Sequence, residues 1–428
     1  MLGIGILLLF LFLVMLRTPV ATAMGISAFL GTFLAGFPGQ MLTLTMQDTV
    51  ENTNYLAIIL FILVGNIANV TNLSQRIFDF AISLVGNVRG GLAQANILAS
   101  MIFAGMSGSG IADCAGLGII EIKQMTDYGY KTDFSAAVTA ASSVVGPIIP
   151  PSISLIVYAI LANVSISQIL IAGLVPGVFI GIIMMALVYY LAITRRVHTP
   201  LTPRQSAVEK LRSFRSNLTA LLAPVILLSG FALGMVSPSE SGALAIFYII
   251  VIALIRKDTT WKKIYQEGFL PSLLPIAQIM FILAAAAAFC WILSREQVYV
   301  KLGQMILHAC GGNKYLFWLL VNSFYLLNGC FVPGIATLVI TVPLFAPLLP
   351  QFGIDPLQFG VVIVFNDMIG MVTPPIGSGI FIMLSITDVK YEDLIRNLVP
   401  FIIILLVALI SLILFPGITT FLPSLLFR

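Results

Sequence analysis

The chain has 428 residues, of which 59% are hydrophobic and only 9% are charged, with a formal net charge of +4. A soluble globular domain carries about 25% charged residues. Composition therefore excludes a soluble enzyme, a nucleic-acid-binding protein and a disordered chain. Because the apolar runs are long and unbroken rather than alternating, the sequence predicts a helical membrane protein and not a β-barrel.

Ten segments approach the roughly 20 apolar residues that a membrane span requires. They lie near 2–16, 19–37, 55–73, 133–162, 167–194, 218–236, 239–255, 270–293, 358–386 and 396–424. Two further apolar regions, 90–127 and 314–350, are interrupted by glycine and proline. These two regions are predicted to be re-entrant hairpins.

Basic residues predict the orientation of the spans, since Lys and Arg are enriched on the cytoplasmic side. The connector 196–217 carries Arg196, Arg204, Lys210, Arg212 and Arg215 and is predicted to be cytoplasmic. The loop 38–54 has no Lys or Arg and is predicted to lie outside. Counting spans from these two points places both termini outside, on the face opposite the cytoplasm.

An internal repeat relates the two halves of the chain, 1–195 and 218–428. Glycine and proline positions recur 224 residues apart; the pairs are Gly105 and Gly329, Gly110 and Gly334, Gly146 and Gly370, Pro150 and Pro374, and Pro151 and Pro375. The topology prediction inserts the halves in opposite directions. An inverted repeat of this kind is typical of secondary transporters.

Each half contains two interruptions, a hairpin tip and a broken helix (133–162 and 358–386). Backbone groups freed at such breaks must face protein, water or a ligand, and unwound carbonyls suit Na⁺. The first predicted Na⁺ site comprises Gly105, Ser107, Gly108, Ser142, Gly146 and Pro150. The second comprises Gly329, Val332, Gly334, Asn366, Gly370 and Thr373.

Helix N-termini at the breaks present unpaired N–H groups, which favour an anionic substrate. Hydroxyl groups nearby add donors, and the predicted substrate-binding residues are Ser107, Ser109, Ser152, Ser154 and Ser378. Three carboxylates also fall within or at the start of spans. Glu240 is expected to cap its helix, whereas the roles of Asp113 and Asp367 stay open.

Several motifs together resemble a known family: Arg17–Ala21, Gly105–Ser109 with Ala112-Asp113, Gly146–Ser152, Ser237–Ala243 and Thr373–Gly377. The chain resembles the large membrane subunit of TRAP transporters (tripartite ATP-independent periplasmic transporters), the DctM-like family, and is most similar to its sialic acid branch. One departure concerns the second tip. Many members of the family carry an acidic residue there, where this chain has Val332-Pro333-Gly334, which favours cation binding by backbone carbonyls.

The resemblance implies an elevator-type importer in the bacterial inner membrane, driven by a Na⁺ gradient. Its implied partners are a periplasmic substrate-binding protein, which delivers a small carboxylate, and a small four-helix membrane subunit. The hairpins and broken helices would form the moving transport domain. Ser107, Ser109 and Ser154 would lie near substrate or Na⁺.

Three other functions make different demands on the sequence. Gly105–Gly108 spells GxSG, as in rhomboid proteases, but a serine nucleophile needs a histidine base, and neither His198 nor His308 lies in a span near it. A channel would require no inverted pair of hairpins. The remaining alternative is a Na⁺-coupled symporter of a related hairpin family that works without a binding protein.

Overall fold

The computed structural model describes residues 2–195, 197, 199–200, 206–232, 234–332 and 334–427, and these residues form helices and connections without a β-strand. By length and composition, seven of the described helices could cross a membrane: Thr53–Val70, Ile166–Ile193, Val208–Ala232, Pro238–Ile255, Trp261–Arg295, Gly334–Phe352 and Tyr391–Leu414. The all-α polytopic fold predicted from composition is confirmed.

The helices of the two halves follow one another in a similar order. The first half contains Leu2–Met15, Val20–Leu34, Gln40–Glu51, Thr53–Tyr55, Leu56–Val70, Leu73–Val85, Gly91–Ser107, Gly110–Ala112, Asp113–Leu117, Gly118–Asp127, Thr132–Ser142, Ser143–Val145, Ile153–Ala162 and Ile166–Ile193. The second contains Ala207–Ala232, Pro238–Ile255, Trp261–Lys263, Ile264–Phe269, Leu270–Arg295, Val298–Cys310, Lys314–Gly329, Gly334–Phe345, Ala346–Phe352, Pro356–Met371, Ser378–Ile386, Tyr391–Leu414 and Gly417–Leu426. In each half a hairpin and an interrupted helix precede a long apolar helix.

Short helices are the main difference from the sequence prediction. The connection 38–54, expected to be a loop, contains the helix Gln40–Glu51, which starts directly after Pro38-Gly39 and has no Gly or Pro of its own. Leu73–Val85 and Val298–Cys310 were also not predicted; each has 13 residues, fewer than a span needs. In the predicted connector, Arg196 and Arg204 lie outside the described residues.

Local capping sets the start of the helix Pro238–Ile255. The Ser237 hydroxyl accepts a hydrogen bond from the backbone N–H of Glu240, and the Glu240 carboxylate accepts one from the backbone N–H of Ser237 at 2.7 Å. This reciprocal pair is a capping box, which satisfies two helix-terminal donors. The expectation that Glu240 caps its helix is confirmed.

Helices of the two halves pack into one hydrophobic core. Ile153–Ala162 of the first half packs against Gly334–Phe345 of the second, and Ser378–Ile386 packs in the reciprocal way against Asp113–Leu117. Tyr391–Leu414 packs against Thr132–Ser142. The interrupted elements of both halves therefore meet at the centre of the molecule.

An ion pair joins the halves at a connection. Arg76, on the helix Leu73–Val85, donates hydrogen bonds to both carboxylate oxygens of Asp258, at 2.7 and 2.9 Å. The two side chains are 25% and 14% exposed, so solvent screens the pair only in part. Both hydrogen bonds come from one guanidinium nitrogen, Nη2, and they tie the helix Leu73–Val85 to the connection that carries Asp258.

A glycine permits a close contact between the two broken helices. A Cβ at Gly360 would overlap the buried ring of Tyr158, whose hydroxyl donates to the carbonyl of Pro356 at 2.6 Å. We expect Gly360→Ala to lower stability by about 1–3 kcal/mol, because the anchored ring cannot move aside. The measurement is the melting temperature of the purified protein.

Gly25→Ala is the matched control, since Gly25 also lies within a helix but a Cβ there would meet nothing within 4 Å. Alanine favours helix more than glycine does, so this variant should melt at or above the wild-type temperature. Equal melting temperatures for both variants would contradict the packing of Gly360 against Tyr158.

Candidate functional site

Four interruptions converge in the described structure. The first hairpin stops after Ser107 and resumes at Gly110, and the second stops after Gly329 and resumes at Gly334. We call these turns the first tip (residues 105–110) and the second tip (residues 329–334, of which Pro333 lies outside the described residues). The broken helices are interrupted at residues 146–152, the first break, and at residues 372–377, the second break.

Backbone contacts dock the first tip on the first break. Gly108 has a left-handed φ of 61°, and a Cβ on it would collide with the carbonyl oxygen of Pro151. The Gly108 carbonyl accepts a hydrogen bond from the backbone N–H of Ile153 at 3.5 Å. Glycine is required here for two reasons, its φ and the close approach of another backbone.

Asp113 lies between the first tip and the first break. Its carboxylate accepts a hydrogen bond from the Ser107 hydroxyl, and its Oδ2 atom lies against Gly146, where a Cβ would overlap it. The side chain is buried, and Oδ2 has no hydrogen-bond partner in the part of the chain that the structure describes. The sequence assigns no role to Asp113, and the structure places its carboxylate beside Ser107 and Gly146 of the predicted first Na⁺ site.

The second tip and the second broken helix approach each other through glycine. A Cβ on Gly329 would lie 3.0 Å from the Cα of Gly370 and 2.7 Å from the carbonyl oxygen of Asp367. A Cβ on Gly334 would overlap Oδ2 of the Asp367 side chain. Asp367 is buried, and its Oδ1 atom has no partner among the described residues.

Four of the five predicted substrate-binding serines occupy helix starts, whereas Ser107 ends the helix Gly91–Ser107. Ser109 caps Ala112, and Ser152 caps Leu155 while donating to the carbonyl of Pro147. Ser154 is buried in the first turn of Ile153–Ala162, whereas Ser378 is exposed in the first turn of Ser378–Ile386. The structure therefore places these four serines at the N-terminal ends of helices that follow a tip or a break.

Three predicted cation ligands have protein partners in the structure. Ser142 donates to Asn96 at 2.9 Å and belongs to a buried polar cluster with Ser100, one turn before the first break. Asn366 donates to Asn322 at 2.7 Å, while its own side-chain oxygen has no partner within the described ranges. Thr373 donates to the carbonyl of Ile369 at 2.6 Å. Val332 is half-buried within the second tip.

The charge around the tips and breaks is entirely acidic. Neither Lys nor Arg occurs in residues 91–122, 132–194 or 315–389. The ion pairs found among the described residues, Arg76 with Asp258 and Lys263 with Glu267, do not involve the tips or breaks. A buried carboxylate without a basic partner is costly unless it is protonated or accompanied by a cation.

The donor set suits a monovalent cation better than a transition metal. Within the described chain, no three His, Cys, Asp or Glu side chains come together as a metal cluster. In each half, the tip and the break together provide one carboxylate with hydroxyl and carbonyl oxygens. Hard cations prefer such oxygen ligands. His308 lies on the helix Val298–Cys310, His198 lies outside the described residues, and no hydrogen bond of Ser107 to a histidine is described.

Comparison with known proteins shows the family of the chain. Residues 7–418 match the model of the family "Tripartite ATP-independent periplasmic transporter, DctM component". The chain is 34% identical over 89% of its length to the sialic acid TRAP transporter large permease protein SiaM of Vibrio cholerae, covering 88% of that protein. It is 36% identical over 90% of its length to the C4-dicarboxylate TRAP transporter large permease protein DctM of Pseudomonas aeruginosa, covering 89% of it.

Among solved structures, the YdaH transporter of Alcanivorax borkumensis superposes with a TM-score of 0.65, covering 88% of each chain at 16% identity. That likeness concerns the fold alone. The matches to permeases rather than enzymes exclude the protease reading of the GxSG sequence. The chain belongs to the DctM family, the large membrane permease component of TRAP transporters.

Proposed function

We propose that this permease imports a small carboxylate, with sialic acid as the first candidate, by coupling its movement to Na⁺. A periplasmic binding protein delivers the substrate, and a small four-helix membrane subunit completes the complex in the bacterial inner membrane. The observation that carries the proposal is the buried carboxylate, without a basic partner among the described residues, that lies between tip and break in each half. Na⁺ bound there would neutralise the carboxylate and join the two elements.

Coupling follows from this placement. The first tip contacts the first break through Gly108 and Pro151, and Asp113 lies in the same contact. A cation that binds both elements would favour the closed arrangement and so pre-form the substrate site. Na⁺ and substrate then stabilise the same state, and symport results because a domain that carries only one of them seldom crosses the membrane.

Substrate recognition would use N–H groups and hydroxyls. Because the segments around the tips and breaks lack Lys and Arg, the carboxylate of a substrate has no guanidinium or ammonium group to bind there. Helix N-termini capped by Ser109 and Ser152 supply positively polarised donors instead. The named relatives act on sialic acid and on C4-dicarboxylates, and both ligands are carboxylates.

An elevator movement is the form of transport we propose. The hairpins and broken helices of both halves pack on one another, whereas Val20–Leu34 packs against Leu270–Arg295 in a second group of helices, which touches the first along Gly334–Phe345. The first group would slide as the transport domain against the second. An inverted repeat with both termini in the periplasm remains the predicted topology.

Two alternatives make different predictions. A related symporter would transport without a binding protein, and a channel would pass substrate down its gradient without exchange. The deciding experiment reconstitutes the permease with its small subunit in liposomes and measures uptake of labelled sialic acid.

We expect uptake only with both an inward Na⁺ gradient and the binding protein, because delivery and coupling are separate requirements. A C4-dicarboxylate serves as the second substrate, with its own binding protein. Equal uptake without any binding protein would favour the related symporter. Absence of counterflow exchange would favour a channel.

Gly108→Ala should abolish most transport, because a Cβ would collide with the carbonyl of Pro151 and separate the tip from the break. Gly36→Ala is the matched control: Gly36 has a similar φ of 73°, but a Cβ there would meet nothing within 4 Å. Both variants carry the backbone strain of a left-handed residue, about 1–2 kcal/mol. Only the first should lose Na⁺-dependent uptake, and equal losses would contradict docking as the cause.

Ser107→Ala and Thr373→Val should each weaken Na⁺-dependent uptake. Ser107 donates to the Asp113 carboxylate, and hydrogen bonds to charged groups contribute about 1.5–3 kcal/mol. We therefore expect the Na⁺ concentration for half-maximal uptake to rise about tenfold or more. Ser385→Ala, at an exposed position, is the control, and wild-type Na⁺ dependence in both test variants would contradict the site assignment.

A further inference from the structure

The second tip contains no acidic residue between Asn328 and Gly334. Nevertheless a carboxylate reaches it, from Asp367 on the broken helix Pro356–Met371. The contact is tight, because a Cβ on Gly334 would overlap Oδ2 of Asp367 and lie 3.4 Å from its Oδ1. The side chain of Asp367 is therefore directed at the tip and not at lipid.

In the first half, the tip and the broken helix also meet through a carboxylate and a glycine, but each group lies on the opposite element. There the carboxylate belongs to the hairpin, at Asp113, and it lies against a glycine of the broken helix, Gly146. In the second half the carboxylate belongs to the broken helix and lies against a glycine of the hairpin, Gly334. Each half thus holds one buried carboxylate in its tip-to-break contact, supplied from opposite sides.

The 224-residue repeat makes this exchange explicit. It pairs Asp113 with Thr337 and Ser143 with Asp367. Each half therefore has one carboxylate and one hydroxyl at the two equivalent positions. The hydroxyl of Ser143 lies beside the first contact, 2.9 Å from the sulfur of Cys114, the residue that follows Asp113.

Unsatisfied oxygens give the second contact its capacity for a ligand. Thr337 lies one turn after Gly334 on the same helix face, and it is 3% exposed. Its hydroxyl and Oδ1 of Asp367 are both without a hydrogen-bond partner within the described part of the chain. Buried polar atoms are normally paired, so two such atoms beside one contact point to a missing partner.

We propose that Asp367 supplies the negative charge of the second-half cation site, in mirror arrangement to Asp113 in the first half. The ligand class is a monovalent hard cation, bound by Asp367 with Thr337 and backbone oxygens of the second tip. Each half would then carry one cation and one carboxylate. This inference rests on the proposed function, because the cation is the coupling Na⁺.

The test uses the full-length protein and Na⁺ alone. Melting temperature is measured against Na⁺ concentration, with choline chloride holding ionic strength constant. When a ligand binds only the folded state, the slope against the logarithm of its concentration reflects the number of ions bound. We expect about half the wild-type slope for Asp367→Asn and for Asp113→Asn, and no slope for the double variant.

The exchange variant Thr337→Asp with Asp367→Ser is the decisive arm. It rebuilds in the second half the arrangement of the first, with the carboxylate on the hairpin and the hydroxyl on the broken helix. We expect the wild-type slope to return, because the charge stays in the same contact. Asp388→Asn, at an exposed position, controls for loss of one negative charge.

Each result has a separate meaning. A slope for Asp367→Asn equal to that of the wild-type protein overturns this inference. So does a slope for the wild-type protein that corresponds to one bound ion. Either result leaves Na⁺ coupling through the first site intact. A wild-type protein without any Na⁺-specific slope contradicts the proposed function itself. Should Asp367→Asn not fold, the exchange variant decides, and a folded exchange variant with half the slope overturns the inference.

Discussion

Hydrogen bonding of the backbone in a water-poor environment is the constraint on which this structure depends. Lipid offers no partners for free N–H and C=O groups, so a helix can stop within a membrane only where protein or ligand surrounds the break. The four interruptions satisfy this requirement by meeting one another. Gly108 contacts the backbone of Pro151, and Gly329 contacts that of Gly370. Absence of side chains at these positions is what permits the approach.

The same convergence explains the unusual electrostatics of the centre. Two buried carboxylates lie in contacts made by glycine, and the segments around them contain no Lys or Arg. In a soluble protein such groups would usually find a basic partner. Here a mobile cation would take that place, so that the stability of the closed arrangement depends on an ion from solution. Dependence of this kind is the physical basis of coupling in the proposed mechanism.

Packing between the halves makes the two sites parts of one unit. Met371, at the end of the first segment of the second broken helix, would lie 3.1 Å from a Cβ on Gly110 at the first tip. Ser378–Ile386 packs against the helix turn that carries Asp113. A change at one tip therefore reaches the other through direct contacts. In the proposed mechanism, a substrate bound between the two tips would contact both.

The sequence by itself determined the membrane class, the helical fold, the capping role of Glu240 and the family. These follow from local properties, namely hydropathy, Gly and Pro punctuation and short motifs, which act within a few turns of helix. It did not determine the short helices Leu73–Val85 and Val298–Cys310. Such short helices are stabilised mainly by neighbouring elements that cover their apolar faces.

Tertiary structure alone decided where the polar side chains point. Ser142 and Ser143 are neighbours in sequence, yet one belongs to the cluster with Asn96 while the other lies beside Cys114. The places of Asp113 and Asp367 were likewise decided by packing. A side chain's partners depend on the rotation of its helix against elements far away in the chain, and this rotation is set by the fit of the whole core.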